Sequence, residues 1–259
     1  MTMSEFFSLH GKRGLVVGVA NEDSIAWACA KAFRELGAEL ALTYVNDKAR
    51  PHVEPLARRV DAPLFLPCDV RVPGQLEAVF DRLGEEWGTI DFLLHSIAFA
   101  PRDDLHGRVV DSSQEGFLQA MDVSCHSFLR MARLAEPLMP RGGALLTVSF
   151  YGAEKVVDDY NLMGPVKAAL ESSVRYASAE LGPQGIRVHA LSPGPLKTRA
   201  ASGINRFDEL LERARQRSPQ HNLADIDDVG AMAAFLVSDR AKTLTGNVTY
   251  IDAGYHVVG

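Results

Sequence analysis

Ala144-Leu-Leu-Thr-Val148-Ser149-Phe150-Tyr151-Gly152-Ala-Glu-Lys-Val-Val-Asp-Asp-Tyr160-Asn-Leu-Met-Gly-Pro-Val-Lys167 sets an apolar run, a glycine, a tyrosine and a lysine in one passage. The apolar run reads as a buried strand, and the amphipathic segment from Tyr160 to Leu181 reads as a helix closed by Gly182-Pro183. Residues seven apart on a helix share a face and lie about 10 Å apart in Cα. Tyr160 and Lys167 are therefore expected together beside a strand end. A phenol is a poor acid near neutral pH, and a nearby cation favours phenolate and lowers its pKa.

The same alternation extends in both directions. Strands are expected at Arg13–Gly18, Glu39–Tyr44, Leu64–Leu66, Asp91–His95, Ile186–Leu191 and Asn247–Ile251. Helices are expected from Ser24 to Gly37 and at Asp47–Val60, Gln75–Trp87, Ser113–Met139, Phe207–Arg217 and Asp227–Ser238. In the third of these, Leu76, Val79, Phe80 and Leu83 repeat at helical spacing. Continuous apolar strands separated by helices specify an α/β fold, a Rossmann-type, doubly wound parallel sheet of seven strands covered on both faces. No linker divides the 259 residues, so a single domain is expected.

Bulk properties narrow the function. A net charge of −6 argues against a nucleic-acid partner. No apolar run approaches the ~20 residues of a membrane-spanning helix, and Met1–His10 does not resemble a secretory signal. Cys29, Cys68 and Cys125 have no metal-ligand spacing and read as reduced, packed thiols in a cytoplasm; no metal is expected.

In doubly wound sheets the site lies beyond the carboxyl ends of the strands. After the first strand, Gly18 permits a tight turn and Ser24 caps the next helix, leaving amides toward a phosphate; a plain strand–loop–helix turn reads the same way. After the second, Tyr44-Val45-Asn46-Asp47-Lys48 has no Arg at the strand end, which favours NADH, while Lys48 keeps NADPH open. After the third, Asp69-Val70 offers a carboxylate and an apolar wall at the height of an adenine, or a helix cap. After the fourth, His95-Ser96-Ile97-Ala98-Phe99-Ala100 is a turn of mostly small residues. His95 there is either catalytic or, as a lone histidine more often is, a hydrogen-bonded packing residue. After the sixth, Ser192-Pro193-Gly194-Pro195-Leu196-Lys197-Thr198 bends sharply, and Thr198 can reach a pyrophosphate or carboxamide. Every strand end carries something a dinucleotide could use.

At Gly18-Val-Ala-Asn-Glu-Asp-Ser24-Ile25-Ala26, His95–Pro101, Tyr160-x6-Lys167 and Gly194–Ile204 the chain resembles the short-chain dehydrogenase/reductase superfamily. Within it the chain looks like the bacterial NADH-dependent, triclosan-sensitive enoyl-acyl-carrier-protein reductases, over essentially its whole length. The six-residue spacer is informative, because the wider superfamily uses three. The resemblance implies hydride transfer from NADH to the β-carbon of a trans-2-enoyl thioester, with Tyr160 stabilising the enolate. It implies that Gly18, Ser24 and Ile25 hold the pyrophosphate region, and that Asp69 and Val70 contact adenine. Ser96, Ile97 and Ala98 would line the adenosine and ribose side, Gly194, Leu196 and Thr198 the nicotinamide end, and Lys167 the nicotinamide ribose. Acyl contacts are expected from Ala100, Phe150, Tyr151, Tyr160, Ala201, Ile204 and Phe207, with a lid at about 197–217.

Two positions depart from the family. Where members often carry a second tyrosine, ten residues before the catalytic one, this chain has Phe150, followed by Tyr151. Adjacent strand residues face opposite ways, so Tyr151 substitutes as a catalytic group only if the loop shifts by one residue. Pro193 replaces the usual small residue before Gly194.

Between Lys197 and Arg217 six basic residues face three acids, a local +3 in a chain of −6. This suits an acidic acyl carrier protein at the site mouth, and equally a mixed solvated helix face. The resemblance also implies a homotetramer packed through the helices at 113–139 and 160–181 and the last strand. Two other readings are a carbonyl or 3-oxoacyl-thioester reductase, which usually has a serine where Thr147 stands, and a cofactor-binding protein without turnover.

Overall fold

The computed structural model describes residues 7–196, 198 and 207–258. Seven parallel strands form one sheet in the order β3-β2-β1-β4-β5-β6-β7. They are β1 Arg13–Val17, β2 Glu39–Tyr44, β3 Leu64–Pro67, β4 Phe92–His95, β5 Gly143–Val148, β6 Ile186–Pro193 and β7 Val248–Ile251. The chain steps outward one way from β1 to β3 and the other way from β4 to β7, so the order reverses between β1 and β4. A crevice opens there outside the strand ends.

Successive strand residues feed opposite faces, which explains why the strands are apolar without alternation. Leu15, Leu93 and Leu145 pack on one side, against helices α3 (Gln75–Trp87), α6 (Ser127–Ala135) and α7 (Met163–Leu181). Val16, Phe92, Leu94 and Leu146 pack on the other, against α1 (Ile25–Glu35), α2 (Arg50–Arg59) and α9 (Ile226–Val237). Phe92 is fully buried, edge-on to Phe33 at 4.8 Å, and occupies the space a side chain at Gly14 would fill. Truncating such a ring costs about 3–5 kcal/mol.

Three elements depart from the sequence reading. The 113–139 helix is broken into α5 (Gln114–Met121), a π-helical turn at Asp122–His126, and α6. The wider turn rephases the inward face, so that Ser124 and Ser127 both turn into the protein. The segment 101–112, given no element from the sequence, contains a short helix, α4 (Arg102–His106). Finally, α7 begins at Met163 and not at Tyr160, because Asp159 and Asn161 have φ of 62° and 44°, which no α-helix accommodates. Tyr160 therefore sits in a turn before the helix, and the expected two-turn relation to Lys167 on one helix face does not apply.

Among the described residues no helix is long and apolar enough to cross a membrane, and no group of three or more His, Cys, Asp or Glu could hold a metal ion. Cys29, Cys68 and Cys125 are free and buried.

Candidate active site

The strand ends border two adjoining clefts that share Ala98 and Phe99. The larger, about 770 Å³, runs over the ends of β1, β2 and β3; the smaller, about 290 Å³, lies over β5 and β6. Together they make one path along the carboxyl edge of the sheet.

Gly18 is the floor of the larger cleft. Its φ is +111°, and a Cβ there would stand 2.0 Å from the Ser96 carbonyl oxygen. Ser96 N–H donates to Val17 O at 2.9 Å, so the turns after β1 and β4 are in backbone contact. Only glycine allows this approach. Asp69, Val70, Ser96, Ile97 and Ala98 line the same cleft, as does Lys48. The Asp69 carboxylate accepts from Arg71 Nε and Nη2 at 3.0 and 2.8 Å, which holds it below the usual carboxylate range. Arg71 in turn covers the Phe99 ring at 5.4 Å. This Asp69–Arg71–Phe99 strap escaped the sequence reading; the two-residue offset from Asp69 to Arg71 was its only local signal. Asp69 does not cap the next helix, whose N-cap is Gly74. Ser24 is a cap: its hydroxyl accepts from Trp27 N–H and donates to Asn21 O at 2.7 Å. It shapes the loop and is not in the lining of either cleft.

Tyr160, Lys167 and Phe150 line the smaller cleft, with Ile25, Ala100, Gly194, Leu196, Thr198 and Phe207. Lys167 is buried and Nζ donates to Val148 O at 2.6 Å. One helical turn on, Glu171 is buried too, and its carboxylate accepts from Ser149 Oγ at 2.6 Å. Two side chains of α7 thus grip consecutive residues at the end of β5. Burial drives the Lys167 ammonium down from 10.5 to about 8, and drives the Glu171 carboxyl up.

The phenol of Tyr160 is displaced upward, chiefly by burial and then by Glu171, and not downward by Lys167 as its proximity in sequence suggested. The ammonium is turned to Val148 O. Tyr160 is therefore a protonated hydrogen-bond donor at neutral pH.

Phe150 and Tyr151 take opposite sides. Phe150 is extended (φ −156°, ψ 149°) and its ring lies 4.7 Å from that of Tyr160. Tyr151 is 3% exposed and packs edge-on against Tyr250 and Tyr255, in a cluster that Phe150 and Tyr160 border. Among the described residues Phe150 lines the smaller cleft and Tyr151, expected in catalysis and acyl contact, is not in its lining. Ala201 and Ile204, and most of the 197–206 part of the expected lid, lie outside the described residues.

His95 is a packing residue. It is 1% exposed, between Thr147 Oγ1 at 2.9 Å and Ser127 Oγ at 2.8 Å. Ser127 gives its one O–H to Val123 O at 2.7 Å, so His95 Nε2 donates to Ser127 and Nδ1 accepts from Thr147. Burial lowers its pKa from 6.5 to about 3. Thr147 is committed to this interior bond and puts no hydroxyl into the cleft, unlike the serine that a carbonyl reductase of this fold uses. Ser124, from the π turn, accepts from Phe99 N–H at 2.9 Å and donates to Phe99 O at 3.0 Å, fixing the shared wall of the two clefts.

Comparison with known proteins gives a consistent result. The family model described as enoyl-(acyl carrier protein) reductase matches residues 18–256. Enoyl-(acyl-carrier-protein) reductase (NADH) 1 of Rhizobium meliloti strain 1021 is 48% identical over 97% of this chain and 92% of its own length. The Aquifex aeolicus NADH enzyme is 45% identical over 97% and 93%. The crystal structure of the Anaplasma phagocytophilum reductase in complex with NAD has a TM-score of 0.93 at 47% identity, covering 97% of this chain and 96% of that one. The Bacillus cereus reductase with NADP+ and indole naphthyridinone has a TM-score of 0.94 at 43% identity, with coverage of 97% and 98%.

Proposed function

Because this chain belongs to the enoyl-(acyl carrier protein) reductase family, we propose that its two clefts together hold NADH and a trans-2-enoyl thioester. The activity is NADH-dependent reduction of the enoyl chain in fatty acid synthesis. One observation carries the assignment of roles: Tyr160 and Lys167 stand on one wall of the smaller cleft, with Phe150 beside them and no hydroxyl from Thr147.

The larger cleft fits a dinucleotide. A side chain at Gly18 would collide with the Ser96 backbone at its floor, and Asp69, Val70 and Ser96–Ala98 line it together. NADH held along this path would supply the hydride for the β-carbon, and a proton taken up at the α-carbon would complete the reduction. Tyr160, whose phenol is protonated at neutral pH, donates a hydrogen bond to the thioester oxygen as negative charge develops there. Lys167 has three donors; one goes to Val148 O, which leaves two for the ribose hydroxyls. Phe150 walls the site and excludes water without adding a donor.

Phe207, at the start of α8 (Phe207–Arg217), lines the smaller cleft, which supports a lid over 197–217. Arg213 pairs with Asp158 at 2.9 Å and Glu209 at 3.4 Å, so this helix is tied to the turn before Tyr160. The local positive charge suits an acidic acyl carrier protein. Arg217→Glu tests it: turnover of the carrier-linked substrate should fall at low salt while the coenzyme A thioester is unaffected.

A homotetramer packed through α5 to α7 is supported by exposed Leu118 on α5 and Tyr176 on α7. Light scattering of Tyr176→Asp tests it. The three free thiols suit a cytoplasmic location. The deciding experiment for the activity is NADH oxidation with crotonyl and longer trans-2-enoyl thioesters; no turnover on any of them overturns the reading.

A further inference from the structure

Tyr160 is held between two residues in the left-handed region, Asp159 at φ 62° and Asn161 at φ 44°. That region disfavours most side chains and tolerates asparagine. Asn161 also does something a turn residue need not do. Its Nδ2 donates to the Leu105 carbonyl at 2.9 Å, across 56 positions of sequence. Leu105 belongs to the short helix α4, and its side chain lines the same cleft as Tyr160. We propose that Asn161 is a positioning residue that clamps the Tyr160 turn to α4 and thereby sets the width of the acyl pocket.

The physical need is plain. A five-residue helix cannot hold itself in water. The carbonyls of its last turn lack intrahelical partners, and Leu105 O is one of them. At its other side α4 is anchored by Asp104, whose carboxylate accepts from the Ser113 N–H and hydroxyl. Asp104 fits there because residue 116 is glycine: a Cβ at Gly116 would stand 1.9 Å from Asp104 Oδ2. That anchor fixes α4 to α5; the Asn161 bond ties α4, whose Leu105 lines the cleft, to the turn that carries Tyr160. Without it α4 is free to move away from Tyr160, so acyl binding weakens, while the phenol keeps its place between Phe150 and Gly152.

This inference rests on the acyl pocket proposed for the smaller cleft, so its test includes a readout that needs no turnover. Asn161→Gly retains the left-handed backbone and deletes only the amide; Asn161→Asp retains the shape but sets an acceptor against the Leu105 carbonyl. Trypsin cleaves after Arg102, the first residue of α4, and after Arg108, just beyond its end, both of them exposed. In both variants cleavage there should accelerate by about five-fold under native conditions, the factor expected for one lost hydrogen bond. KM for a trans-2-dodecenoyl thioester should rise by a similar factor while kcat stays within about two-fold and NADH affinity is unchanged. Unchanged cleavage and KM in both variants overturns the clamp. So does an equal loss of kcat and NADH binding, which marks general damage. Faster cleavage in an enzyme whose wild type turns over no enoyl thioester retains the clamp and discards the substrate.

Discussion

Phe150 lays its ring against that of Tyr160, with centroids 4.7 Å apart and planes inclined at 59°. Gly152 closes another side, where an added Cβ would stand 2.4 Å from the Tyr160 ring. The phenol is thus held by its ring, leaving the hydroxyl free of a structural duty. Tyr160→Phe should keep the fold and the affinity for NADH, measured by fluorescence titration, and lower kcat by about 10²-fold, the scale of one lost donor to a developing oxyanion.

Tyr151 is the converse case. Its ring belongs to the cluster with Tyr250 and Tyr255. Tyr151→Phe should change kcat by less than about two-fold. Tyr151→Ala should cost about 3 kcal/mol of stability, read from denaturant midpoints. Phe150→Ala should instead raise KM for the acyl substrate.

Gly18→Ala places a methyl group 2.0 Å from the Ser96 carbonyl oxygen on a backbone of φ +111°. The two turns that floor the larger cleft must separate. NADH affinity should fall by at least about ten-fold in calorimetry, with a change in structure confined to the cleft.

Lys167 titrates near pH 8 in the folded protein, below its ordinary 10.5, because it is buried. The ammonium that serves Val148 O is therefore lost as pH rises through about 8, and NADH affinity and kcat/KM should fall there. The stability effect has the opposite sign. Between about 8 and 10.5 the unfolded chain binds more protons at this residue, so its destabilising contribution fades as pH rises. Glu171→Gln keeps an acceptor for Ser149 but removes a carboxylate that favours the ammonium, so the alkaline limb should move to lower pH.

His95 is neutral in the fold down to pH about 3 and protonates near 6.5 when exposed. The unfolded state binds the extra proton across that window, so stability falls as pH drops, by about 1.4 kcal/mol per pH unit for this one group. His189, buried and lowered to about 4, adds a similar slope. Urea midpoints at pH 7 and pH 5 should converge in His95→Gln relative to wild type.

Much of the fold was legible because its signals are local. Leu76, Val79, Phe80 and Leu83 repeat at helical spacing and all four are buried on α3. The Glu39–Tyr44 run is β2 without adjustment. Gly18 was marked as a tight turn, though what it permits, contact with Ser96 O, involves a segment 78 residues on whose position no local pattern encodes. The long helix expected at 113–139 failed for a related reason. Its π turn is selected by what Ser124 and Ser127 meet, Phe99 and His95, and these are brought there by β4.

By itself the sequence determined the alternation of strands and helices, the sheet wrapped on both faces, and the presence of a tyrosine and a lysine at one strand end. These follow from periodicity and glycine placement, which act over a few residues. The tertiary structure alone decided that Tyr160 stands in a left-handed turn ahead of its helix, that Phe150 and not Tyr151 faces the cleft, and that the phenol is raised and not lowered. Each of those outcomes is a sum over contacts from distant segments: Leu105 on Asn161, Tyr250 and Tyr255 on Tyr151, and the buried surroundings that outweigh the charge of Lys167.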